Sequence, residues 1–123
     1  MRQILTLLAI FVFSTGFSQT QLEINQKAEE SYRLADKELN SVYQKILVKY
    51  KTDTTFLNNL KTSQRIWITF RDAELKARFS EKESGYYGSM LPMCEALCSE
   101  RLTKERTIVL KKYLENRDWD GCN

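Results

Sequence analysis

In "QRIWITFRDAEL", Gln64 to Leu75, an amide, an indole and a guanidinium recur at i, i+3 and i+7. A helix therefore places Gln64, Trp67 and Arg71 on one face, with Asp72 directly after the arginine. Such a set has two uses. Projecting outward, Gln64, Arg71 and Asp72 form a polar ligand-binding group. Lying at the edge of a core, Arg71 packs its stem near Trp67 and needs acceptors for its head. The structural use is preferred, because the same periodicity turns Arg106 of a later helix inward, and an uncompensated buried charge costs about 3–5 kcal/mol. Asp72 and Glu74 are the nearest acids in sequence, and Asp36 can reach from an earlier helix.

Other chemistry is sparse. The chain has no histidine, which removes Ser-His triads, Cys-His dyads and the usual zinc or haem ligation. Its 16 acids fall in no recognisable catalytic frame, so no catalytic, cofactor-binding or metal-ligating residues are expected and an enzyme is not. The formal charge is +3. Lysines and arginines alternate with acids or apolar residues in "KELNSVYQKILVKYK" and "RLTKERTIVLKKY", as on a solvated helix flank, so no nucleic-acid footprint is present. Tyr86 and Tyr87, flanked by glycines in "GYYGSM", offer a partner surface, since tyrosine brings area and a polar tip at low entropic cost. The alternative is that one ring closes the end of the fold while the glycines allow the turn.

Three cysteines remain: Cys94, Cys98 and Cys122. If the last helix continues to Asn116, Cys94 lies about 33 Å and Cys98 about 27 Å from its end. The six residues that follow extend at most about 21 Å, and a disulfide adds about 7 Å between Cα atoms. An unbroken helix thus excludes Cys94 with Cys122, and Cys98 reaches only with a straight tail. The plain reading is that an odd cysteine is tolerated or pairs between chains, and two alternatives stay open beside it. Cys94 and Cys98 bridge locally across a distorted first turn, leaving Cys122 for an intermolecular bond, or Cys94 is a reactive thiol favoured by the helix N-terminus.

These residues need elements to hold them. Residues 1–18 read as a signal peptide: a basic start, the apolar run "ILTLLAIFVF", and small residues before a cut after Ser18. That run is too short for a stable membrane anchor, so no stable insertion is expected after cleavage. Loss of Arg2 takes the charge from +3 to +2, and one domain from residue 19 to 123 is expected. Ala28, Tyr32, Ala35, Leu39, Val42 and Ile46, widened by Tyr43, Leu47 and Tyr50, mark a helix from about Gln21 to Lys51. "KTDTT" breaks it, with Thr52 or Asp53 capping the next. The second stripe is Leu57, Leu60, Gln64, Trp67, Arg71 and Leu75, ending near Phe79. A Gly-containing loop leads to Pro92 in the first turn of a third helix. Its stripe takes Cys94, Cys98, Leu102, Arg106, Val109, Leu110 and Tyr113. The fold class is all-α, a small antiparallel bundle of three main helices with a long loop between the second and third. The first two helices are neighbours, and the third fills their groove.

"ADKELNSVYQKIL", "LKTSQRIWITFRDAEL", "GYYGSM" and "CSERLTKERTIVL" together resemble the small secreted domain family named after the lysozyme inhibitor LprI. The likeness covers residues 29–114. It is carried by Gln64, Trp67, Arg71 and Asp72 in register, by Asn40 and Tyr43 upstream, and by Thr103 and Arg106 downstream. The resemblance implies an all-α secreted or periplasmic domain, with a lysozyme or another envelope protein as partner. It also implies a cysteine bridge between the second and third helices. Here the first of those positions is Leu75 and the second is Cys98, so that bridge cannot form. Lysozyme inhibition needs a protruding group to fill the sugar cleft, and a charge of +2 gives no long-range steering toward a basic enzyme. Glu81, Glu83 and Glu95 around the loop are local acids that offset this. The rival expectation is a non-inhibitory envelope interaction module.

Overall fold

The computed structural model describes the backbone of residues 2–80 and 85–115, with side chains from residue 20 onward. Three helices account for most of it: α1 (Arg2–Lys49), α2 (Thr54–Arg78) and α3 (Leu91–Glu115), the last preceded by a 3₁₀ turn at Gly88–Met90. Among the described residues there is no strand, and no helix is long and apolar enough to cross a membrane. The first helix begins well before the expected Gln21, because the apolar leader continues it without a break.

Local chemistry sets the boundaries. Asp53 caps α2, its Oδ1 accepting from the Phe56 amide at 3.0 Å, which satisfies one of the orphan donors of a helix start. At the other end, the Phe79 amide donates to Leu75 O at 2.9 Å. The end of α3 is closed by its neighbour. Lys49 Nζ donates to the carbonyls of Tyr113 (3.2 Å) and Leu114 (2.6 Å), and the Tyr50 hydroxyl donates to Tyr113 O at 2.7 Å. A cation and a hydroxyl thus meet carbonyls of the last described turn of α3.

Those contacts also give the helix directions. Asn25 near the α3 start donates to Ser89 O at 2.9 Å, while Lys49 meets the α3 end, so α1 and α3 run parallel. Phe56 at the start of α2 packs in tilted contact with Tyr113 and Tyr50, which makes α2 antiparallel to both. The main core is Leu39, Val42, Ile46, Leu60 and Leu110, with Tyr43, Trp67 and Tyr113 among the residues packed on it.

The closest helix pair is α1 with α3. One expectation about packing needs correction. The buried face of α3 is Ala96, Ser99, Leu102, Thr103, Thr107 and Leu110, rotated from the expected stripe, and Val109 is exposed. The reason is side-chain size. Ala28 and Ala35 on α1 and the small residues of α3 are all buried, and small side chains permit a shorter interaxial distance.

Candidate functional site

The groove between α1 and α2 gathers most of the residues singled out by type and spacing. Asn40 and Tyr43 from α1, and Gln64, Trp67 and Arg71 from α2, line a space of about 630 Å³ together with Tyr32, Asp36, Lys61, Arg65 and apolar neighbours. The alternation of steps that buries Leu39, Val42 and Ile46 puts Tyr32, Asp36, Asn40 and Tyr43 along the flank of α1. On α2, Gln64 and Leu60 point inward while Lys61 and Arg65 stand on the rim.

Arg71 lies across the groove. Its side chain keeps only 14% of its exposure, Nη2 meets Asp72 Oδ1 at 3.0 Å, and Nη1 lies 4.0 Å from Asp36 Oδ1. The guanidinium carbon sits 5.3 Å from the Trp67 ring centroid and 6.0 Å from that of Tyr32, within cation–π range. Burial raises the Tyr32 phenol above its ordinary value, against the opposing pull of Arg71. Asn40 is exposed and donates from Nδ2 to Asp36 at 3.1 Å. Glu74, one of the expected acceptors, instead pairs with Arg78 at 2.9 Å, one turn along the same helix.

Gln64 turns its back on Arg71. It is buried, and its Oε1 accepts from Arg106 Nε of α3 at 3.0 Å, while Arg106 Nη2 reaches Ser63 Oγ at 3.1 Å. Among the described residues Arg106 forms no ion pair, so its acceptors are neutral rather than the expected carboxylate. Burial holds its guanidinium below the ordinary arginine range. Thr103 is fully buried on α3. Its carbonyl accepts from Thr107, and its own Oγ1 has no hydrogen-bond partner.

The two loop tyrosines differ in burial, Tyr86 exposed and Tyr87 partly buried. Gly85 and Gly88 take positive φ, +79° and +55°, which only glycine adopts without strain, and close a tight turn around the pair. Tyr87 packs edge-on to Phe79 at 5.5 Å and donates its hydroxyl to Arg78 O. Tyr86 stands at 72% exposure with Tyr87 beneath it, ring centroids 5.0 Å apart. Glu95 is exposed nearby in sequence; Glu81 and Glu83 lie outside the described residues.

Cys94 and Cys98 are free, partly buried thiols. The local bridge fails because the first turn is regular: Cβ atoms at i and i+4 stand about 5–6 Å apart, and a disulfide needs about 3.5–4.5 Å. Cys122 lies outside the described residues.

A sequence model described as lysozyme inhibitor LprI matches residues 14–110, most of the chain and all of the groove. The chain belongs to the LprI family. An uncharacterized protein of Rhizobium meliloti (strain 1021) is 32% identical over 110 residues, covering 80% of this chain and 77% of that protein. No solved structure matches the chain. All eight motif residues of the LprI resemblance fall within the matched segment, and five of them line the groove. Tyr32, Lys61 and Arg65 were not foreseen. The Lys61 to Arg65 spacing is visible in sequence, but that both share a groove with α1 depends on how the helices cross.

Proposed function

We propose that the chain acts outside the cytoplasm as a non-catalytic LprI-type inhibitor of lysozyme, exported by a leader cut after Ser18. The observation that carries this reading is the family match over residues 14–110. Tyr86 supplies a physical means: a protruding ring on a base of Tyr87 and Phe79 is held in place before binding, so little entropy is lost when it enters a cleft. Such a plug blocks sugar binding without any chemistry of its own. The test is a lysozyme turnover assay with the purified protein. A fall in lytic rate as the protein is titrated supports inhibition, and no loss at micromolar excess removes it.

The groove favours a second reading, an envelope module that holds another protein or ligand without inhibiting lysozyme. Its rim carries Lys61 and Arg65, both exposed, which repel a basic enzyme rather than attract it. Pull-down from envelope extract tests this reading separately.

A further inference from the structure

We propose that the groove between α1 and α2 is a binding site for a small carboxylate-bearing ligand, its acid group set against Lys61 and Arg65 and a ring or aliphatic face on Trp67 and Tyr43. The site is separate from the Tyr86 plug, and the inference stands whether or not lysozyme is inhibited.

Size comes first. At about 630 Å³ the groove falls within the range of about 300–1,000 Å³ typical of small-ligand sites. Charge is the deciding feature. Every other described arginine has an acid or amide against its head. Among the described residues, neither Arg65 nor Lys61 has any side-chain partner. Two cations at i, i+4 disfavour each other, so this pair is a standing demand for an anion. Asp36, the one acid among the lining residues, accepts from Asn40 and faces Arg71 instead.

Shape narrows the class. The walls are flanks of unbroken helices, whose backbone groups are already paired, so recognition by strand addition is excluded and side chains must do the work. Trp67 and Tyr43 are partly buried at the core margin, fixed flat surfaces suited to an apolar face, with the cations fixing the orientation. A uronic sugar acid and the end of a short acidic peptide both present this chemistry.

The experiment is a calorimetric titration of the purified protein with two matched pairs: a glucuronic acid disaccharide against its neutral glucoside, and acetyl-Leu-Glu against its uncharged diamide. In at least one pair the acid is expected to bind about tenfold tighter than its neutral match, a difference of about 1.4 kcal/mol, and to weaken as salt rises. Lys61→Ala with Arg65→Ala is expected to abolish that preference with the circular dichroism spectrum unchanged, since both side chains are exposed. Tyr86→Ser, at the far end of α2, should leave it intact. Quenching of the Trp67 indole in a Trp119→Phe background places the ligand in the groove. Which pair responds identifies the source. The proposal is overturned if neither acid binds, if acid and neutral bind alike, or if the Lys61/Arg65 variant binds as the parent does.

Discussion

Arg106 of α3 and Gln64 of α2 meet at 3.0 Å, Nε–H donating to Oε1 of a buried amide. A half-buried guanidinium is here satisfied by neutral oxygens, so the contact depends on hydrogen-bond geometry more than on charge. That answers why an amide occupies an apolar stripe: it is the acceptor for a cation on the facing helix. Hydrogen bonds to charged groups contribute about 1.5–3 kcal/mol. A double-mutant cycle with Gln64→Ala and Arg106→Ala, read by urea unfolding, should give a favourable coupling of about 1–2 kcal/mol. Strict additivity would mean the two side chains act independently.

Arg71 is held by stacking as much as by its acids. Removing the guanidinium strips Trp67 and Tyr32 of a planar neighbour and leaves Asp72 and Asp36 without the cation that each meets. Arg71→Ala should lower Tm by about 4–8 °C, the shift expected for a loss near 1 kcal/mol in a small domain. Arg71→Lys should recover little of this, because an ammonium has no planar fork to stack. Full recovery by lysine would reduce the role of the residue to charge alone.

Much of this arrangement is legible in the sequence. A cap at Thr52 or Asp53 follows from residue type, with Asp53 the one that serves, and the inward Gln64 and the placement of Arg71 beside Trp67 follow from spacing, since each depends on one helix and its own period. The α3 seam was not legible, because Ser99, Thr103 and Thr107 carry no hydropathy signal and are buried only through the closeness of α1. Val109 looks like core by type and lies outside, because the buried face of α3 combines the small Ala96, Ser99, Thr103 and Thr107 with Leu102 and Leu110. Arg106 gave away its inward direction but not its acceptor, since an amide 42 positions away has no local signature.

Thr103 makes a sharper test of the seam. Its Oγ1 is buried without a partner, and an unsatisfied polar group of this kind costs about 1–3 kcal/mol. Thr103→Val keeps the shape and removes the hydroxyl, so it should raise stability by about 1 kcal/mol. Thr107→Val, by contrast, deletes the 2.9 Å bond to Thr103 O and should not stabilise. Thermal melts of the two variants side by side decide the point.

The α1–α3 pair also carries an acid-sensitive link. Lys111 donates to Glu38 at 2.6 Å, and that hydrogen bond and charge hold the Glu38 carboxyl below its ordinary value of 4.5. A carboxylate with a depressed folded value contributes stability that is present above the unfolded value and lost as pH falls through the folded one. Both side chains are about half exposed, so the contribution is at most about 1 kcal/mol. Glu38→Gln should melt slightly below the parent at neutral pH, and the difference should close below pH 4.5. A gap that persists in acid would place its origin elsewhere.

Tyr86 and Tyr87 are adjacent in sequence and opposite in expected effect. Tyr87 buries one ring edge against Phe79 and ties its hydroxyl to the last turn of α2, so Tyr87→Ala should cost about 1–2 kcal/mol through lost aromatic contact and a lost hydrogen bond. Tyr86 rests on Tyr87 but is mostly in water, and Tyr86→Ser should leave Tm within about 1 °C, as surface changes away from structural contacts do. If Tyr86 is the plug, the same serine variant should lose most of any lysozyme inhibition, since interface anchors of this type carry about 2 kcal/mol or more when truncated. Inhibition that survives Tyr86→Ser, but falls with Tyr87→Ala in step with stability, would assign the loop a purely structural part.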